Sequence, residues 1–552
     1  MRRPNILFVS LPSLPFKYVV ESFTKKTVFS QTEAMPMGLL YVSSYLKAHN
    51  ELGEVKLLDY PSYLEQDVQV YPDLESLVLG EAEKRIDFYP DIVGISLIFS
   101  TSHRFFQLTI KVLKALWPKA TLIVGGVHAS NCVDLLLSYQ EVDYVLRGEG
   151  ELAFSEVVKQ YANDQPLKLT GLYSVKNFNP LEPLTLVEPV KDIDQLPFPD
   201  LELLDVQRYL TQPGRRRGLD KSSDKQAATI FTTRGCPFKC TYCSAHTVHG
   251  RKVRYRAIES VIEEMKTLYE KYGVTLFIIE DDLFTANKSR VLSLLSSMKK
   301  LNVPDIELQF PSGLNVATLD EDILDAMIAT GTEIVNIAIE SGSEYVQTKL
   351  INKRVDLVKA KELVRICRKK GLVTRCYFVL GFPGETKALM EETVQYMKEL
   401  ECDWAVIMIA TPLVGSAMYR QFVERGDIKE NDIEMWSESF FQGRQFDTQE
   451  ISAAELNDFT YRVNLEVNFL NNVNLRLGNF DLAISIFNDI IHAYPFHIFA
   501  WYGLYLAYQG KNDQAKAKEI YNKIQELVAT EDRSKDMYQK YGYLIPDFTL
   551  IA

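Results

Sequence analysis

The stretch TTRGCPFKCTYCSAH, residues 232–246, places Cys236, Cys240 and Cys243 on one short loop of a chain that holds seven cysteines. A disulfide needs an even number, and a closed structural zinc site wants four ligands, commonly as two separated pairs. Three thiols on one loop leave a metal with an open position. Soft thiolates suit zinc and iron–sulfur clusters alike, and His246 or His249 would supply the fourth ligand of a zinc site. The loop follows the apolar run ATIFTT, at the kind of strand end where an α/β barrel carries its chemistry.

Downstream the pattern of strand then helix repeats through TLFIIEDD, ELQFPSGLN, EIVNIAIESGS, TRCYFVLGFPGE and DWAVIMIATP, with helices such as IESVIEEMKTLYEKYG between them. Five or six parallel strands with helical crossovers, in about 200 residues, predict an open or partial α/β barrel over residues 223–440. Upstream, NILFVSL, VKLLDY, IVGISLIFS, ATLIVGG and VDYVLRG alternate with amphipathic segments such as FFQLTIKVLKALW. That alternation predicts a doubly wound parallel sheet over residues 1–160. Ligands of such sheets bind at the strand carboxyl ends, which here carry Ser96, Gly125–Gly126, and Gly148 and Gly150.

A Pro-rich stretch over residues 161–222 reads as a linker, and its GRRRG run (214–218) as a solvated patch. Over residues 441–552 the strand signal disappears and a helical domain is expected. Gly478 and Gly510 lie 32 apart, as do Ala483 and Ala515. Helical-hairpin repeats and a plain helical bundle are both open readings of this spacing.

The bulk numbers, 47% hydrophobic and 24% charged, are those of a globular protein. The opening Met1–Arg2–Arg3 runs into an apolar stretch too short for a signal peptide or a membrane span. Four cysteines stand singly (Cys132, Cys367, Cys376, Cys402), which favours a reducing compartment over a disulfide framework. A cytoplasmic enzyme is the expectation. The net charge of -12 gives no general attraction to nucleic acid.

CxxxCxxC after the first barrel strand resembles the radical S-adenosylmethionine (SAM) superfamily. With RYRAIESVIEEM, IIEDDLFTAN, IAIESGSEYV, FVLGFPGET and TPLVGSAMY it resembles the cobalamin-binding, class B methyltransferase-like branch, over most of residues 1–430. The resemblance implies a Rossmann-like cobalamin-binding domain, a partial (β/α)6 barrel and an all-α C-terminal domain. It implies that Cys236, Cys240 and Cys243 ligate a [4Fe-4S] cluster whose open iron chelates SAM, with Tyr242 against the adenine. Asp281 and Asp282 would lie near the SAM amino group, and Glu340 and Ser341 near its ribose or carboxylate. Gly381 and Gly384 would let the backbone pass close to the adenosyl moiety. Each also has a plainer reading: Asp281 and Asp282 as a helix N-cap, the glycines as a turn.

Free-standing cobalamin folds carry an Asp-x-His-x-x-Gly motif. His49, alone among the first hundred residues, lacks that spacing. The resemblance therefore implies base-off cobalamin with no histidine on cobalt, its tail near Ser96, Leu97, Gly125, Gly126, Gly148 and Glu149. His128 is either a polar contact or a structural histidine, and a domain that has lost its cofactor and only braces the barrel is the rival view.

The activity implied is radical methylation of an unactivated carbon or a phosphinate phosphorus of a small molecule, using methylcobalamin and a 5′-deoxyadenosyl radical. Rearrangement, cyclisation or oxidation would use the same residues, and a non-catalytic cobalamin sensor is the reading from another class. A tRNA methylthiotransferase would carry a further cysteine triad in its N-terminal domain, where only Cys132 stands. Flavodoxin or ferredoxin would be the electron donor.

Overall fold

Short apolar runs bounded by polar turns form β1 (Ile6–Ser10), β2 (Val55–Asp59), β3 (Ile92–Ser96), β4 (Thr121–Gly125) and β5 (Tyr144–Leu146). The computed structural model describes residues 2–25, 35–66, 70–211, 225–438, 443–545 and 548. The five strands pair in parallel in the order β2-β1-β3-β4-β5, with Phe8 opposite both Leu57 and Gly94. Helices that include Met37–His49, Leu74–Arg85 and His103–Leu116 cross between them, and Glu151–Ala162 follows β5. Strands covered on both faces need no alternation, which is why they read as continuous Val/Ile/Leu runs. The order is flavodoxin-like, and the chain reverses direction across the sheet between β1 and β3. Phe8, Leu46, Ile92, Ile123, Phe154 and Val157 fill the core.

The stretch expected as a linker is partly ordered into this sheet. β6 (Leu172–Tyr173) adds to β5 antiparallel, and Val187, Val190 and Ile193 are buried. A two-residue strand has no periodicity of its own to read; the open edge of β5 supplies the pairing. The GRRRG run lies outside the described residues.

Among the described residues, those before 212, those of Gln226–Ser312 and those of Thr411–Asp447 form one compact unit. Those of Gly313–Ala410 and Thr448–Ala552 form another. In the first unit β7 (Gln226–Ile230) is followed by an antiparallel pair, β8 (Thr233–Arg234) and β9 (Arg254–Tyr255), that closes the cysteine loop. β7 joins β10 (Val274–Ile279) and β11 (Glu307–Gln309) in a parallel sheet, order β11-β10-β7. In the second unit β12 (Leu314–Asn315), β13 (Ile334–Glu340), β14 (Val373–Leu380) and β15 (Trp404–Ile409) form a parallel sheet in sequence order. The segment ELQFPSGLN thus holds two strands where one was expected. Pro311 lacks an amide hydrogen and Gly313 has φ +82°, so the ladder breaks between them.

The C-terminal helices Phe480–Ala493, Ile498–Gly510, Gln514–Thr530 and Asp532–Tyr541 pack around Ile486, Phe487, Phe499 and Ile524. They form two helical hairpins, but the repeat is 34 residues, not 32. Buried Ala483 corresponds to buried Ala517, whereas Ala515 is exposed. Gly478 corresponds to Asn512, and both take left-handed backbone (φ +76° and +60°) before the next helix. A period of 34 is that of tetratricopeptide hairpins. Asn468 joins this module to the sheet: its amide accepts from Ala405 N at 2.8 Å and donates to Ala405 O at 2.7 Å, on edge strand β15.

Candidate functional site

The cysteine loop is held at its root by carboxylates. Asp281, just past β10 and buried, accepts from Thr232 N at 2.6 Å, Thr233 N at 3.0 Å and the Thr232 hydroxyl at 2.5 Å. Asp282 accepts from Gly235 N at 2.7 Å. Neither caps the following helix, whose N-cap is Asn287. Cys236, Cys240, Cys243 and Tyr242 are half-buried, and none of the cysteines is in a disulfide. Burial pushes the Cys236 thiol up to about 11; nearby Cys243, Asp282 and Cys240 add to the rise. Burial likewise raises Cys243, with Cys240 adding to it.

Three thiols this crowded become thiolates together only when a cationic group binds them. Among the described residues, no three His, Cys, Asp or Glu side chains converge on one metal-ion position. A cubane asks for a different arrangement, since each thiolate binds its own iron. The donor set, three soft ligands on one loop, fits that group.

At the β1/β3 reversal lies a cavity of about 310 Å³. Phe8, Gly94, Ser96, Gly125 and Phe154 line it from the sheet, and Phe231, Arg234, Val248 and His249 from the segment around the cysteine loop. Five of the six expected cobalamin contacts (Ser96, Gly125, Gly126, Gly148, Glu149) are on its wall. Leu97 is buried outside that lining, its amide donating to Gly125 O at 2.7 Å. Gly126 has φ +108°, and a Cβ there would stand 2.6 Å from Leu97 O, so only glycine fits the turn. At Gly125 a Cβ would meet nothing closer than Leu146 O at 3.9 Å, and at Gly38 nothing within 4 Å. Side chains at these two positions would occupy the cavity, as expected of a cradle for a bulky nucleotide tail. The mostly apolar wall and the missing side chains fit a corrinoid tail.

His128 lies outside this lining. Its ring bonds Ser100 Oγ at 2.8 Å and His103 Nδ1 at 2.9 Å, and burial holds it well below the usual histidine range. The structural reading of that residue is the one the geometry supports.

A charged cluster borders the cavity. Glu149 Oε1 is 2.8 Å from His249 Nδ1, Glu149 Oε2 is 2.8 Å from Arg254 Nη1, and Arg234 Nη2 is 2.7 Å from Glu151 Oε1. Burial alone would raise the Glu149 carboxyl, but hydrogen bonds from Arg254 and His249 and the charge of Arg234 hold it at about 2. Sequence reasoning missed Arg234, Arg254 and Glu151, and it raised His249 as a zinc ligand and not as a partner of Glu149. The RGEGE run was the available signal, yet pairing its carboxylates with cations some hundred residues away needs the fold.

In the second unit, Glu340 and Ser341 follow a bulge at the end of β13, where Glu340 takes φ +70°. Glu340 pairs with Lys353 at 2.7 Å, both nearly buried, and Ser341 Oγ bonds Thr393 Oγ1 at 2.8 Å. Gly381 (φ +83°) and Gly384 (φ +85°) bracket a turn after β14 in which Glu385 accepts from Gly381 N at 2.6 Å and Phe382 N at 3.0 Å.

A three-thiol loop after a parallel strand, with a doubly wound domain before it, is the architecture of a corrinoid-associated radical enzyme. The Radical SAM superfamily pattern matches residues 230–397, and the B12 binding domain pattern matches residues 29–158. The chain thus carries a B12 binding domain pattern followed by a Radical SAM pattern, and it is similar to B12-dependent radical SAM methyltransferases. It is 29% identical over 405 residues to an uncharacterized methyltransferase of Pyrococcus horikoshii, covering 72% of this chain and 80% of the relative. It is 28% identical to the cytidylyl-2-hydroxyethylphosphonate methyltransferase of Streptomyces wedmorensis, covering 71% and 78%. Its fold is similar to that of the cobalamin-dependent S-adenosylmethionine radical enzyme OxsB with aqua-cobalamin and S-adenosylmethionine bound (TM-score 0.61, 13% identity, 99% and 82% covered). Among the described residues no helix is long and apolar enough to cross a membrane.

Proposed function

We propose that the protein is a cobalamin-dependent radical SAM methyltransferase acting on an unactivated carbon, or a phosphinate phosphorus, of a small metabolite. The observation that carries this reading is the position of Arg234. It lines the glycine-walled cavity and immediately precedes Gly235 and Cys236, so one stretch of backbone serves both the corrinoid pocket and the cluster loop. The methyltransferase relatives support the choice of reaction.

When bound, the [4Fe-4S] cluster with SAM supplies a hydrogen-abstracting radical, and the corrinoid supplies a methyl group. In this assignment Cys236, Cys240 and Cys243 hold the cluster, and Asp281 and Asp282 fix the path of their loop. Tyr242, Asp281, Asp282, Glu340, Ser341, Gly381 and Gly384 are assigned to SAM by the resemblance of their motifs. Ser96, Gly125, Gly126, Gly148 and Glu149 are assigned to the corrinoid tail, with Leu97 beside them. The cobalamin is taken as base-off, because the Asp-x-His-x-x-Gly motif is missing from the sequence. A flavodoxin- or ferredoxin-type protein is the proposed electron donor, and residues 1–160, 223–440 and 441–552 the working domain limits.

The test is anaerobic incubation of the reconstituted protein with reductant, cobalamin, SAM labelled in its methyl group and a small-molecule cell extract. The expected result is 5′-deoxyadenosine together with a labelled product, both lost in Cys240→Ala. Wild-type protein that makes no 5′-deoxyadenosine would overturn the radical assignment. A modified product without the label would replace methylation by rearrangement, cyclisation or oxidation.

A further inference from the structure

His249 ends the short helix His246–His249 that follows the cysteine loop, and it is one of the residues that line the cavity. Its Nδ1 lies 2.8 Å from Glu149 Oε1. Glu149 also takes Arg254 and Arg234 as ion-pair partners, which keeps it an anion, and an ionised carboxylate only accepts hydrogen bonds. The shared proton therefore belongs to Nδ1, so in the neutral form of the ring the lone pair is on Nε2. Among the described residues no group hydrogen-bonds Nε2; the residue's other bonds are at its backbone, the amide donating to Ala245 O at 3.0 Å and the carbonyl accepting from Arg254 Nη2 at 3.4 Å. A carboxylate that fixes the tautomer of a ring leaves its other nitrogen to a ligand, which is how proteins aim a histidine.

A cavity of about 310 Å³ is at the small end for a drug-sized molecule, and it holds only part of a corrinoid. The part that fits is the nucleotide side arm, which offers an amide N–H and a ribose hydroxyl as donors. We propose that His249 is a corrinoid-contacting residue whose Nε2 accepts a hydrogen bond from that side arm. This rests on the cobalamin reading of the cavity, and it gives Glu149 the task of orienting the ring.

The experiment is anaerobic titration of the full-length, cluster-reconstituted protein with hydroxocobalamin and, separately, with cobinamide, which keeps the amide arm but lacks the ribose and base. His249→Ala is expected to weaken cobalamin binding about 5- to 20-fold, and His249→Gln to recover part of the loss. If cobinamide binding falls equally, the donor is the amide; if it is unaffected, the donor is the ribose hydroxyl. Equal affinities of wild type and His249→Ala for both corrinoids would overturn the proposal. So would a cob(II)alamin EPR spectrum showing nitrogen coupling that vanishes in His249→Ala, since the ring would then be a metal ligand. Urea melts of the cofactor-free variants measure the structural share separately: His249→Ala loses its bond to Glu149 and should melt somewhat earlier, while the loss of corrinoid affinity persists under conditions where both proteins are fully folded. Wild-type protein that binds no corrinoid would overturn the cavity's assignment itself, whatever the variants do.

Discussion

Asp281 accepts the amide hydrogens of both Thr232 and Thr233, so the residue just past β10 holds the root of the loop that leaves β7. Asp281→Ala leaves two buried amides without an acceptor, each costing roughly 1–3 kcal/mol. The variant should lose about 2–4 kcal/mol in urea denaturation and retain less iron per chain after reconstitution. Asp281→Asn keeps one acceptor oxygen and should lose less of both. Full iron content and unchanged stability in Asp281→Ala would show that the clamp does nothing for the loop.

Glu149 makes stability depend on acid. Its folded value of about 2 lies below the ordinary 4.5, so its ion pairs stabilise the fold above pH 4.5 and this contribution is lost as pH falls toward 2. Urea denaturation of the cofactor-free chain, repeated from about pH 5 downward, should show stability falling with pH in wild type. A flatter profile is expected in Glu149→Gln, and identical profiles would count against the ion-pair account.

The cavity can be filled without disturbing the sheet. Gly125 has open space where its side chain would be, so Gly125→Leu should fold with a melting temperature near wild type. Its cobalamin affinity should fall by about tenfold or more, which is about 1.4 kcal/mol of lost binding. Undiminished cobalamin binding in a folded Gly125→Leu protein would mean that the tail lies elsewhere.

The C-terminal hairpins pack helix on helix through a missing side chain. A Cβ at Gly503 would stand 2.6 Å from the fully buried ring of Phe487. Gly503→Ala should therefore destabilise the protein by about 1–3 kcal/mol through overpacking, read as a lower thermal midpoint. An unchanged midpoint would show that the ring has room to move.

The parts of the fold that were legible in the sequence are those with their own periodicity. Continuous apolar runs marked β1, β3, β4, β10, β13 and β14, and the spacing of Cys236, Cys240 and Cys243 marked the loop. What escaped were features defined by a neighbour. Leu172–Tyr173 is a strand only because β5 has an open edge, and the repeat phase shows only once the buried positions Ala483 and Ala517 are seen. The site divides in the same way. Glycines at strand ends pointed to the cavity wall, whereas Arg234, His249 and Arg254 gain their meaning from carboxylates about a hundred residues earlier in the chain. His128 stood out as a histidine beside a Gly-Gly turn, and its partners Ser100 and His103 account for it.

Asn468 offers β15 the same pair of bonds that a further strand would offer, one given and one taken at Ala405. A side chain in a helical segment thus works as a stopper on an edge that would otherwise be a template for sheet growth. Cutting the chain before residue 448 to obtain a smaller catalytic piece would uncork that edge. The shortened protein should then be prone to strand-to-strand association between copies, and it would also lose the bonds that Asn474 makes to buried Asp403 and to Arg368. The tail is thereby a guard on solubility as well as a module with a surface of its own.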